Sequence, residues 1–323
     1  MKTWKSYITM ALLLSFMLVL SACSGSSEES KDAAPKEEKE AATRTVQHAM
    51  GETEVPENPE RVVILTNEGT EALLSMDVKP VGAVQSWTGE PWYKHIEDKM
   101  TDVEVVGTES EPNIEKIASL KPDLIIGNKL RQEKVYEQLN AIAPTVFSET
   151  LKGEWQENFK LYADALNKQD KGQEVLDEYN ARIESFKEQA GEKLDQKVSV
   201  VRFLSGDVRI YQKDSFSGVI LEQLGFQRPA SQDVDAFAEK NVTKERIPDM
   251  DGDILFYFTY ETGDGEASQV EKEWTNDPLW QKLNAVQQGN VHRVSDATWN
   301  TSGGVLAANE MLDDLEKIIL EEQ

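Results

Sequence analysis

Gly172-Gln-Glu-Val-Leu-Asp-Glu-Tyr-Asn-Ala-Arg-Ile-Glu-Ser-Phe186, continuing to Leu194, reads as one uninterrupted helix. Val175, Leu176, Tyr179, Ile183 and Phe186 recur at helical spacing and charges fill the other positions, the pattern of a long helix with one apolar stripe. The segments on either side read alike. Upstream, Arg61–Leu65, Pro80–Val84, Glu104–Gly107, Pro122–Gly127 and Thr145–Phe147 read as short strands. The helical patterns Asn67–Met76, Asn113–Leu120 and Gln132–Ile142 fall between them, and the amphipathic segment Trp155–Leu166 follows. Downstream, Lys197–Leu204 and Val208–Tyr211 read as a hairpin turned at Ser205-Gly206-Asp207. Phe216–Leu224 is a helix closed by Gly225, Asp253–Phe258 a buried strand, and Asp277–Lys282 a short helix. Asn290–Val294 is a last strand and Gly304–Leu320 a closing helix. Alternating strands and helices imply largely parallel sheets covered on both faces. The fold class is therefore α/β, with two α/β lobes (residues 44–168 and 196–323) joined by one long rigid helix over 169–195.

The start of the chain has another character. Two lysines, an apolar stretch from about Ile8 to Leu20, and Leu20-Ser-Ala-Cys23 have the layout of a secretory signal over residues 1–22. The run is shorter than the roughly 20 residues a spanning helix needs. The cysteine at its end resembles the lipobox of bacterial lipoproteins, which implies that Cys23 becomes the lipidated first residue and anchors the protein to the outer face of the cell membrane. Residues 23–43 are rich in Ser, Lys, Glu and Ala with no large apolar residue, and read as a disordered acidic tether. Cys23 is the only cysteine, so no disulfide framework exists. With 34 Lys and Arg against 59 Asp and Glu, the net charge of -25 argues against nucleic acid and anionic lipid as partners. A local cluster of arginines could still take an anionic ligand.

Catalytic signatures are missing. No G-x-S-x-G elbow, P-loop or G-x-G-x-x-G follows a strand. His48, His95 and His292 are far apart and lack a zinc spacing, so neither a catalytic set nor a protein metal site is expected.

Several segments together resemble the iron-siderophore binding lipoproteins of Gram-positive bacteria, the substrate receptors of ABC importers. They are Val46-Gln-His-Ala-Met-Gly51 with Pro56 and Pro59, Glu71 with Val78-Lys-Pro-Val-Gly82, Ile117–Ile126, and Gly218–Phe226. Asp77 stands where the family usually has glycine. The resemblance covers the mature chain and implies a class III periplasmic-binding-protein-like fold and no enzymatic activity. It also implies no intrinsic cofactor, a ferric siderophore as ligand, an ABC permease as partner, and a monomer. Receptors for hydroxamate and citrate-hydroxamate siderophores of the schizokinen type are the most similar. Receptors of the same fold for catecholate siderophores, haem or corrinoids are the alternative, and a secreted lipoprotein hydrolase is a third reading. Glu71 and Glu222 match the places of the surface glutamates that dock on permease arginines; the alternative for each is solvated surface charge.

In a ferric siderophore the iron is already coordinated, so the protein must supply donors and flat walls. Arginine suits carboxylate and hydroxamate oxygens, and the interlobe cleft is the expected place. Arg202 and Arg209 lie in apolar strands and need a partner, either the ligand or a structural salt bridge. Alternation turns Arg209 and Tyr211 the same way. Lys129, Arg131 and Trp87 follow strand ends, where α/β sheets gather ligands, although the two cations could equally be solvated loop charges. Trp299 follows the last strand in a polar loop, and Trp92 and Tyr93 lie just beyond Trp87; a tryptophan in a polar loop is hard to explain as core, so these favour the site, Trp299 and Trp87 most.

Overall fold

The computed structural model describes residues 42–151 and 153–321. Cys23, the signal segment and the tether up to residue 41 lie outside the described residues. The first strand starts one residue before the predicted boundary: β1 (Thr43–His48) pairs with β2 (Gly51–Pro56) as an antiparallel hairpin.

The first lobe holds a five-stranded, all-parallel sheet. Its strands are β3 (Val62–Ile64), β4 (Gly82–Ala83), β5 (Glu104–Val105), β6 (Leu124–Asn128) and β7 (Thr145–Ser148), in the order β5-β4-β3-β6-β7. The continuous apolar runs become strands buried on both faces, as parallel sheets require. The helix Asn67–Ser75 opens with Thr66, whose hydroxyl accepts from Gly69 N at 3.0 Å. Asp77, just past its end, takes φ 59°, the left-handed conformation glycine favours, so the turn keeps its shape without glycine. The helix expected over Gln132–Ile142 is broken into Lys129–Gln132, a 3-10 turn Glu133–Val135, and Tyr136–Asn140. Gln132 is pinned there: its side chain accepts from Asn128 N and donates to the Leu65 and Glu109 carbonyls.

The long helix spans Gln169–Ala190, and Leu194 falls in the 3-10 turn Gly191–Asp195 that follows. Leu176, Tyr179, Ile183 and Phe186 form its buried stripe. It packs on Trp155–Ala165 of the first lobe and on Phe216–Leu224 of the second. Consequently one hydrophobic core runs from Val62 and Ile126 through Tyr179 and Phe186 to Val198 and Phe256. Smaller clusters under the outer faces complete each lobe. Lobes that share a core cannot separate without exposing it, which limits hinge opening.

The second lobe's sheet is mixed. Its strands are β8 (Val198–Leu204), β9 (Asp207–Tyr211), β10 (Ala238–Glu239), β11 (Ile254–Thr259) and β12 (Val291–Arg293), ordered β10-β9-β8-β11-β12. β8, β11 and β12 run parallel, and β9 is antiparallel to both β8 and β10. Gly206, at φ 69°, makes the tight turn between β8 and β9. The closing helix Val305–Leu315 packs on the long helix and also on Asn67–Ser75 of the first lobe.

Candidate functional site

A cleft of about 390 Å³ lies between the lobes. Its second-lobe wall is set by hairpin register. Arg202 on β8 and Arg209 on β9 are direct cross-strand partners, so both side chains leave the same face of the sheet. Both line the cleft, and each also has an internal carboxylate. Arg202 Nε and Nη2 donate to the two oxygens of Asp296 at 2.6 and 3.1 Å, and Nη1 donates to the Tyr211 hydroxyl at 3.2 Å. Burial opposes its charge, but Tyr211 and Asp296 outweigh burial and raise its pKa. Its guanidinium lies 4.8 Å from the centre of the Tyr260 ring. Arg209 Nε donates to Asp207 at 2.6 Å, and its terminal nitrogens make no hydrogen bond among the described residues. The two readings of these arginines are thus compatible: the salt bridges orient guanidiniums that still face the cleft.

On the first-lobe wall, Arg131 lies 5.6 Å from the Trp87 ring centre and 3.7 Å from Glu109. Tyr260 of the second lobe donates its hydroxyl to the Trp87 carbonyl of the first at 3.3 Å. Trp87, Arg131, Arg202 and Arg209 therefore meet in one place.

Five expectations are corrected. Tyr211 does turn with Arg209, but it is fully buried and supports Arg202 from behind, outside the cleft wall. Lys129 pairs with Glu149 at 2.9 Å outside the cleft, because residues two apart on a helical turn face opposite ways. Trp299 is core. Its loop closes into a helical turn, its indole N–H donates to Asp314 at 2.8 Å, and its ring lies 4.5 Å from that of Phe256. The polar residues after it, Asn300 to Gly303, reach the cleft instead. Trp92 and Tyr93 are buried in the first-lobe core. Glu71 is no surface glutamate: it is 0 % exposed and accepts from His95 Nε2, Ser302 Oγ and Ala307 N. Glu222 is 60 % exposed, 3.4 Å from Lys213.

Sequence reading missed Glu68, Glu109, Lys240 and Tyr260, which also line the cleft. Glu68 and Tyr260 follow the ends of β3 and β11, so the strand-end rule that found Arg131 could have found them. Lys240 follows an antiparallel edge strand, where no such rule applies. Among the described residues, no group of three or more His, Cys, Asp or Glu side chains stands where it could hold a metal ion.

Comparison with known proteins gives consistent matches. The family model described as "Periplasmic binding protein" matches residues 62–297. The "Probable siderophore-binding lipoprotein YfiY" of Bacillus subtilis is 52% identical, covering 98% of this chain and 99% of its own. The Fe(3+)-citrate-binding protein YfmC of the same organism is 31% identical, covering 95% of each chain. The crystal structure of Staphylococcus aureus SirA complexed with staphyloferrin B superposes with TM-score 0.81 at 36% identity, covering 87% of this chain and 100% of that one.

Proposed function

The chain belongs to the periplasmic binding protein family, and from that premise we propose that it captures a ferric siderophore outside the cell for an ABC importer. The observation that carries this reading is the convergence of Arg202, Arg209 and Arg131 with Trp87 in one interlobe cleft. Guanidinium forks suit hard anionic oxygens, and the indole and Tyr260 offer flat cover for an organic shell. The chelate brings its own iron ligands, so the protein need form no bond to the metal. A citrate-hydroxamate of the schizokinen type fits these donors, presenting carboxylate and hydroxamate oxygens together. Relatives named for Fe(3+)-citrate and crystallised with staphyloferrin B support an anionic oxygen-rich ligand.

The ligand is returned unchanged, and the receptor works as a monomer held to the outer face of the membrane by lipid on Cys23. Arg202 and Arg209 take the anionic oxygens from the second lobe, and Arg131 with Trp87 flanks the chelate on the first lobe. Docking on the permease falls to exposed carboxylates such as Glu222; the burial of Glu71 removes it from that role.

Trp87 is the one tryptophan lining the cleft among the described residues. Titration with ferric schizokinen should therefore quench tryptophan emission. Trp87→Phe should bind with similar affinity yet lose most of the quench. A quench that survives in Trp87→Phe would place the ligand elsewhere.

A further inference from the structure

Glu68 is among the cleft residues that the arginine-based reading leaves without a role. Glu68 is the second residue of the helix Asn67–Ser75, lines the first-lobe wall, and is only 5 % exposed. Its Oε2 accepts from Asn158 Nδ2 at 3.3 Å. Its Oε1 is buried and has no hydrogen-bond partner among the described residues. The protein thus leaves one oxygen of this cleft-lining residue unpaired.

The surroundings decide its charge. Glu109 lies on one side and is held by Asn67 N at 2.7 Å, by Asn67 Nδ2 at 2.9 Å and by Arg131. Glu71, three residues along the same helix, is held by His95, Ser302 and Ala307 N. Glu68 has neither a cation nor a backbone N–H. From the helix Trp155–Ala165 it meets only Asn158 and the Tyr162 hydroxyl. The cations Arg202, Arg209 and Lys240 stand across the cleft on the second lobe. The helix N-terminus favours negative charge by about half an elementary charge, which does not offset burial beside two carboxylates. Burial drives the Glu68 pKa well above the usual range, Glu109 and Glu71 add to it, and Asn158 and Tyr162 oppose it. Burial lifts Glu109 as well, but the Asn67 donors, Arg131 and Trp87 pull it back.

We propose that Glu68 is held as a neutral carboxylic acid and donates an O–H from the first-lobe wall to an anionic oxygen of the bound chelate. This rests on the siderophore reading above and adds a binding residue that makes capture proton-dependent. It also narrows the ligand. The chelate face turned to the first lobe offers acceptor oxygens, since an ammonium there would require ionised Glu68. As pH rises through the Glu68 pKa, the donor is lost, a negative charge appears beside an anionic ligand, and affinity falls.

The test compares wild type, Glu68→Gln and Glu68→Ala in calorimetric titrations with ferric schizokinen from pH 6 to 9. Glutamine keeps a donor without the charge, so it should bind within about threefold of wild type at pH 6 and hold that affinity at pH 9. Wild type should weaken over the same range. Alanine should bind about tenfold more weakly at pH 6, the value of one charge-assisted hydrogen bond. His95 and ligand speciation change equally in all three proteins, so the difference between wild type and Glu68→Gln belongs to Glu68. An infrared band of a protonated carboxyl, present in the free protein and absent in Glu68→Gln, reads the proton without ligand. A tenfold loss in Glu68→Gln at pH 6, equal pH slopes in the two proteins, or absence of that band would overturn the inference. Failure of wild type to bind any ferric siderophore would overturn the siderophore reading and the inference with it.

Discussion

Arg209→Ala is expected to weaken capture of a ferric citrate-hydroxamate by ten- to a hundredfold and to leave thermal stability nearly unchanged. Hydrogen bonds to charged groups contribute about 1.5–3 kcal/mol, and each 1.4 kcal/mol is tenfold in affinity. Arg209 is the clean test because of where it sits. Its side chain is 23% exposed, and Asp207 keeps the Asn241 N–H as a donor once the arginine is gone, so its loss costs less stability than that of the more deeply buried Arg202. Arg202 offers no such separation. Its removal would strand Asp296, which is 5% exposed, at a cost of about 3–5 kcal/mol. Arg202→Ala should therefore lose binding and stability together. Calorimetry and thermal melts on Arg209→Ala decide the point; unchanged affinity would remove this arginine from the site.

Glu71→Ala should lose as much stability as Arg202→Ala, about 3–5 kcal/mol, or on the order of 10 °C in melting temperature. Glu71 ties the lobes together. It lies on the first-lobe helix Asn67–Ser75 and accepts from His95 in the same lobe, while Ser302 and Ala307 reach it from the second lobe's closing segment. Removing it orphans a buried imidazole, a hydroxyl and a helix N–H at once. The same residues position a cleft wall, since Ser302 and Gly303 line it. Burial tends to lower the His95 pKa, but the hydrogen bond and charge of Glu71, with Glu310, raise it overall above 6.5. A raised folded-state pKa gives stability that is present below 6.5 and lost as pH rises through the folded value. Wild type should therefore lose part of its stability as pH rises from 6.5 through the folded-state value, and Glu71→Gln should flatten that dependence. A Glu71→Ala protein that melts with wild type would show that the tie holds nothing.

The sheets were legible because buried parallel strands read as unbroken apolar runs, as at Arg61–Leu65 and Leu124–Gly127. The hairpin was equally legible, and its alternation brought Arg209 to the cleft. The chain lost its meaning where tertiary packing decides the fate of a polar segment. The helix Asn67–Ser75 shows an apolar face at Ala72 and Leu73, yet every residue from Asn67 to Leu74 is buried because the distant closing helix covers the polar side. That contact turned Glu71 from an expected surface charge into a buried tie. Trp299 went the same way: nothing near it in sequence announces that Asp314 will accept its N–H. Glu109 was hidden differently, since one acid among 59 carries no mark of burial.

The most direct test of the account is a crystal structure of the protein with ferric schizokinen. It should show the chelate in the interlobe cleft, with every iron ligand from the siderophore, carboxylate oxygens about 2.7–2.9 Å from the Arg202 and Arg209 guanidiniums, and Trp87 against the organic shell. A protein side chain bonded to iron, or a chelate seated away from these arginines, would contradict it.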